Sequence, residues 1–210
     1  MEVRELAPGL WRWTGWHEEW KQDVGCVYYE QGGEVCLVDP LVPPEDSDRF
    51  WAALDRDVGR AGGPVHVLIT VFWHARSARD VVARYGARLW TPSRAKAAVE
   101  RRAGVVTDPF RVGASLPAGI EAFASGRGTE VVYWLPRERV LVAGDVILGD
   151  TGGGGGVRLC PESWLPSGTG HRELRGALGP LLELGVEMIV VSHGEPVVER
   201  GVEALRVLLG

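Results

Sequence analysis

Residues 65–77, VHVLITVFWHARS, bring a histidine, an arginine and a tryptophan together within four positions. Val65, Val67, Leu68, Ile69 and Val71 form a continuous apolar run, the pattern of a buried strand. Trp73, His74 and Arg76 follow it, just ahead of a helical pattern. Polar and aromatic groups at the carboxyl end of a buried strand commonly face a site. There, His74 has the chemistry of a general base or a metal ligand. Arg76, which keeps its charge at any ordinary pH, suits an anion or a developing oxyanion.

The elements around this stretch are predicted from periodicity. Residues 2–14 read as two short strands about Pro8-Gly9, and 24–30 and 34–39 as a hairpin. A helix capped by Asp46 or Ser47 runs to about Val58, and another covers about 77–85. Residues 88–90 form a short strand and 93–102 a short helix. From Ile120 the pattern is β at 120–124, 130–135 and 140–142, then a helix at about 170–184, a strand at 188–192 and a last helix at 196–209. The segment 16–20, WHEEW, reads as a loop carrying His17 toward the cleft mouth. The glycine run 152–156 reads as a mobile loop. It is no phosphate-binding loop, because no Gly-Lys-Ser/Thr follows. Strands in two batches, each closed by strand–helix units, predict an α+β, four-layer αββα sandwich of two mixed sheets flanked by helices, as one domain over residues 1–210.

Composition excludes several classes. Net charge is −5 with no basic block, so there is no surface for nucleic acid. No apolar run reaches the ~18 residues of a membrane span, and the charged start MEVRELAPG is no signal peptide, so a cytoplasmic protein is expected. Three cysteines without metal-type spacing indicate free thiols. A hairpin centred on Gly32 is expected to put Cys26 opposite Val38 and Cys36 opposite Tyr28, a poor geometry for a disulfide. Of nine tryptophans, four stand at positions 11, 13, 16 and 20. Core packing is the expected use, and a tryptophan-lined pocket mouth is the alternative.

Five segments, in order, resemble the metallo-β-lactamase fold superfamily. They are VCLVDP ending at Pro40, YGARLW ending at Trp90, VVYWLP ending at Pro136, Ala143-Gly144-Asp145, and Ser192-His193-Gly194-Glu195-Pro196, with the Thr70 motif between the first two. VVYWLP ending at Pro136 is similar to the strand after that family's third histidine. The resemblance implies a site for two metal ions held by histidines and aspartates, which polarise a scissile bond and activate water. Aligned on Thr70, the family's T-H-x-H-x-D-H ligands fall on Val71, Trp73, Ala75 and Arg76, and the third histidine on Gly126 or Arg127. Only Asp145 and His193 remain, and two ligands cannot hold two divalent ions.

Two functions follow as expectations. The first is a metal-free protein or pseudoenzyme with a dismantled site, which binds a small, anionic molecule in the remodelled cleft. Arg76 and Arg127 are its anchors, Trp73, His193 and His17 surround them, Glu130 pairs with Arg127 or Arg76, and Arg76 pairs with Asp145. No cofactor is expected in that case. The alternative is a hydrolase with one zinc, iron or manganese ion on His74, Asp145 and His193, or metal-free acid–base hydrolysis by His193 or His74. A third reading is an interaction protein whose cleft Trp73 plugs. Off the family's register, His74 is expected to point away from the ligand cluster, and Asp39 to brace the turn before Pro40 in extended backbone.

Overall fold

In the computed structural model, which describes residues 1–105, 107–151 and 155–210, two sheets pack face to face. The first runs in spatial order β1 (Glu2–Ala7), β2 (Leu10–His17), β3 (Gln22–Gln31), β4 (Glu34–Val38), β5 (Val65–Leu68), β6 (Arg88–Pro92) and β7 (Asp108–Phe110). Strands β1 to β4 are antiparallel neighbours, and β4 to β7 are parallel. The second sheet contains β8 (Glu121–Ala124), β9 (Val131–Leu135) and β10 (Val140–Ala143). A ribbon of β11 (Ile147–Gly149) and β12 (Val157–Leu159) follows, and β13 (Met188–Val191) returns to lie parallel to β10. Outside the first sheet lie α1 (Ser47–Ala61), α2 (Ala78–Tyr85) and α3 (Lys96–Ala103). Outside the second lie α4 (His171–Leu178) and α5 (Gly201–Leu209).

Three apolar clusters correspond to the three interfaces of a four-layer sandwich. Cys26, Tyr28, Val35 and Leu37 face α1–α3, whereas Val27, Tyr29, Cys36 and Val38 face the second sheet. This is the two-residue alternation of a sheet buried on both faces. In the second sheet Leu141 and Ile189 pack on Leu174, Leu178 and Leu205 from the helices, while Val142 and Val190 face inward. The αββα expectation stands.

Several boundaries differ from the reading of the sequence. The hairpin turns on Gly32 and Gly33 together, pairing Gln31 with Glu34, so Tyr29 lies opposite Cys36 and Val27 opposite Val38. The expected register was one residue off. That slip puts Cys26 and Cys36 on opposite faces of the sheet, and both, with Cys160, are free and buried. The helix expected over 170–184 ends at Leu178 and tightens to a 3-10 turn over Gly179–Leu184, where Pro180 lacks the N–H that an α-helix needs. The last helix starts at Gly201, well after Pro196. Strand β2 continues to His17, so WHEEW is half strand, half turn. Strand β7 and the ribbon are three-residue strands too short to leave a period-two signal. The glycine run lies outside the described residues at 152–154. At its far end, Gly156 accepts a hydrogen bond from Asp150 at 3.1 Å. No described helix is long and apolar enough to cross a membrane.

The parallel strands β4, β5, β10 and β13 all finish at the same edge of the sandwich, just before Asp39, Thr70, Asp145 and His193. There the two sheets come very close: Gly25 N donates to Ser192 O at 2.7 Å. A Cβ on Gly25 would stand 2.6 Å from Val191 O, which only glycine avoids.

Candidate active site

Asp39, His74, Asp145 and His193 form one cluster at this edge. After β5 the chain makes a 3-10 turn, Phe72–Ala75, closed by His74 N to Val71 O at 2.9 Å. The turn directs the His74 ring inward, where it is fully buried. His74 Nδ1 lies 2.8 Å from Asp39 Oδ2, and His74 Nε2 lies 3.1 Å from Asp145 Oδ1. His193 Nε2 approaches the same Oδ1 at 3.1 Å. His74 therefore does not point away from the cluster, as expected from its register; it is central to it. Asp39 is likewise corrected. Its backbone is left-handed (φ 50°) rather than extended, and its carboxylate accepts from Thr70 N at 2.9 Å and from the Thr70 hydroxyl.

Asp145 is held from three sides. Its second oxygen accepts from Trp73 Nε1 at 2.6 Å. Its backbone N–H, and that of Val146, donate to Glu130 Oε1 at 2.7 and 2.8 Å. Glu130 pairs in turn with Arg127 at 2.7 Å, the ion pair expected from the sequence. Gly144 permits this packing, since a Cβ there would sit 2.6 Å from Thr70 Oγ1.

Arg76 is not beside Asp145, and that expected pairing is absent. Its guanidinium donates instead to Gly25 O (3.1 Å), Asp39 O (3.0 Å) and Ser192 Oγ (2.7 Å). It thus ties β3 to the ends of β4 and β13. Arg127 is also turned inward, to Glu130 and to Trp164 O at 2.9 Å. Both arginines direct their terminal nitrogens to protein acceptors, while each Nε is buried without a hydrogen-bond partner. His17 lies behind the cluster rather than in it. It stacks on Trp20 at 4.0 Å, and the Trp20 ring comes within 5.6 Å of His74 and 6.0 Å of His193.

Charge balance follows from this geometry. Burial and Arg76 push the His74 imidazolium down, but Asp145 and Asp39 outweigh them, and the net shift is upward. Burial works against the Asp145 carboxylate, yet the two histidines hold it well below the usual range. Burial, helped by Asp145, pushes Glu130 up to about 7 against the pull of Arg127. Burial and then Arg76 depress His17.

A pocket of about 520 Å³ opens beside the cluster. Trp20, Phe72, Trp73 and Trp164 wall it, Asp145 and His193 form its polar end, and Gln22 and Arg102 complete it. Trp73 therefore does not plug the cleft. The sequence reading missed Trp20, Phe72, Arg102 and Trp164. The tryptophan cluster at 11–20 held a signal for the first, but nothing marks Trp164 or Arg102 locally.

The three-ligand set fits a single metal ion. Suitable donor atoms of His74, Asp145 and His193 all lie within 4.8 Å of one another. Two donors each about 2 Å from one tetrahedral ion stand roughly 3.3 Å apart, close to the separations found. Among the described residues, His74 Nε2 and Asp145 Oδ1 are buried without a hydrogen-bond partner, since their 3.1 Å contact lacks hydrogen-bond geometry.

No protein-family model and no curated protein matches the chain. Solved structures do. The DIM-1 metallo-β-lactamase superposes with a TM-score of 0.70 at 14% identity, covering 98% of this chain and 97% of that one. A metallo-β-lactamase from Pontibacter korlensis gives 0.69 at 15% identity, with 98% of each chain covered. A metallo-β-lactamase family protein from Thermus thermophilus gives 0.66 at 18% identity, over 98% of this chain and 79% of that one. With both sheets and their flanking helices in common, the chain is a metallo-β-lactamase-fold protein.

Proposed function

We propose that the protein is a hydrolase that uses one divalent metal ion held by His74, Asp145 and His193. The observation that carries this reading is the convergence of His74 Nε2 and His193 Nε2 on Asp145 Oδ1, each at 3.1 Å, with no hydrogen bond of good geometry at His74 Nε2 or Asp145 Oδ1. The ion would supply a Lewis acid and an activated water. The chain's own residues prepare the site. Asp39 accepts from His74 Nδ1, which leaves Nε2 as the donor atom of the neutral ring. Trp73 fixes Asp145 through Oδ2 and keeps Oδ1 free of it. The aromatic walls restrict water around the reacting bond. The solved structures of like fold are metallo-β-lactamases, which supports hydrolysis as the reaction class.

A second reading is the metal-free binding protein with a dismantled two-metal site, and one observation favours it. The upward shift of His74 suits an imidazolium, which would neutralise Asp145 without any ion. Elemental analysis of protein purified without chelators decides between the two. About one equivalent of zinc, iron or manganese, lost in His74→Ala and His193→Ala, is the expected result. No metal, even after zinc is offered, would overturn the metal-dependent reading and leave the binding protein or metal-free acid–base hydrolysis by His193 or His74.

A further inference from the structure

Aromatic walls around a carboxylate ordinarily suit a cation, because the faces of aromatic rings are electron-rich. Here that role is already taken. Arg76 sits 5.6 Å from the Trp20 ring, Arg102 5.3 Å from Phe72 and Arg127 5.1 Å from Trp73. Three of the four rings that wall the pocket thus carry a guanidinium. Of the carboxylates nearby, Glu130 is paired with Arg127, and Asp145 Oδ1 lies 3.1 Å from the Nε2 atoms of both His74 and His193. Two of the three arginines are tied inward, but Arg102 is exposed at the end of α3, lines the pocket, and has no hydrogen bond or ion pair among the described residues. Trp164, 46% exposed, carries no guanidinium and stands 6.5 Å from His193.

We propose that this pocket takes a flat aromatic group bearing an anion, with the ring on the tryptophan walls and the anion on Arg102. The inference rests on the site being a substrate site. It names the class of molecule, an aromatic acid that keeps its free anion and carries a separate hydrolysable bond, which would face Asp145 and His193. Stacking supplies the affinity for the ring, and a guanidinium recognises a carboxylate through paired hydrogen bonds. A cationic ligand is disfavoured, since it would meet Arg102 in the pocket and the field of Arg76 and Arg127 behind it.

Calorimetric titration of the full chain with 2-naphthoate, cyclohexanecarboxylate and phenyltrimethylammonium tests this, in EDTA-treated and in zinc-loaded protein. In EDTA-treated protein 2-naphthoate should bind more tightly than either other probe. Arg102→Ala should weaken it by roughly three- to tenfold, and Arg102→Lys should keep part of the affinity. Trp164→Ala should weaken naphthoate by roughly fivefold and reduce its advantage over cyclohexanecarboxylate. Equal binding of the two carboxylates, tighter binding of the ammonium probe, an unchanged Kd in Arg102→Ala, or no binding would each overturn the proposal. Since these comparisons need no ion, failure to hold zinc sinks only the metal reading, and zinc uptake without naphthoate selectivity sinks only this one.

Discussion

Asp39 Oδ2 stands 2.8 Å from His74 Nδ1 although 35 residues separate them, and the same carboxylate accepts both the N–H and the hydroxyl of Thr70. One buried side chain at the end of β4 therefore sets the orientation of the histidine that follows β5. Asp39→Asn offers one acceptor where two oxygens now serve three donors. The expected outcome is a loss of metal affinity of about 10- to 100-fold, the usual effect of removing a carboxylate behind a ligating histidine. Zinc titration against a competing chelator measures it, and unchanged affinity would rule out this orienting role.

Arg76 joins β3 to the ends of β4 and β13, so its loss should be felt as stability rather than as lost metal. Arg76→Ala should cost about 2–3 kcal/mol in urea unfolding, in line with hydrogen bonds made by a charged group. Metal content should stay the same or rise. Lysine should not rescue, because one ammonium cannot span Gly25 O, Asp39 O and Ser192 Oγ. Rescue by Arg76→Lys would show that charge alone matters here.

Gly144→Ala tests how tightly the second sheet closes on the first. The added Cβ would press on Thr70 Oγ1 at 2.6 Å and on Glu130 Oε1 at 3.0 Å. Overpacking of this kind costs about 1–3 kcal/mol, and the displaced Asp145 should bind metal more weakly. A variant as stable and as metal-competent as the parent would mean that the contact relaxes freely.

Cys26 gives a pH signature. Burial pushes its thiol from 9.0 up to about 11, against the pull of Arg76. Native protein should therefore react slowly with a thiol reagent at pH 8, and all three cysteines rapidly in urea. The raised value also sets a sign for stability. The folded chain keeps a proton that the unfolded chain releases between pH 9.0 and about 11, so this contribution is full below that range and is lost as pH rises through it. The stability advantage of the parent over Cys26→Ala should shrink from pH 8 to pH 10.5. A constant difference would contradict it.

What the sequence determined by itself was the frame. Alternating and continuous apolar runs such as 34–38, 65–69 and 140–143 encode strands buried on both faces, and burial demands two sheets with helices outside. Asp145 and His193 were legible because they stand where the metallo-β-lactamase fold superfamily, which the sequence resembles, carries ligands, each two residues past a buried strand. Tertiary structure decided the rest. Alignment on Thr70 assumes extended backbone, where neighbouring side chains alternate, and it put His74 off the ligand register. The 3-10 turn over Phe72–Ala75 fans consecutive side chains around an axis instead, so His74 enters the cluster and Trp73 donates to Asp145. Arg76, with φ 28°, then swings to backbone oxygens that only the closed sandwich brings within reach. The Arg102 and Trp164 walls come from segments 62 residues apart, and no local pattern could have joined them.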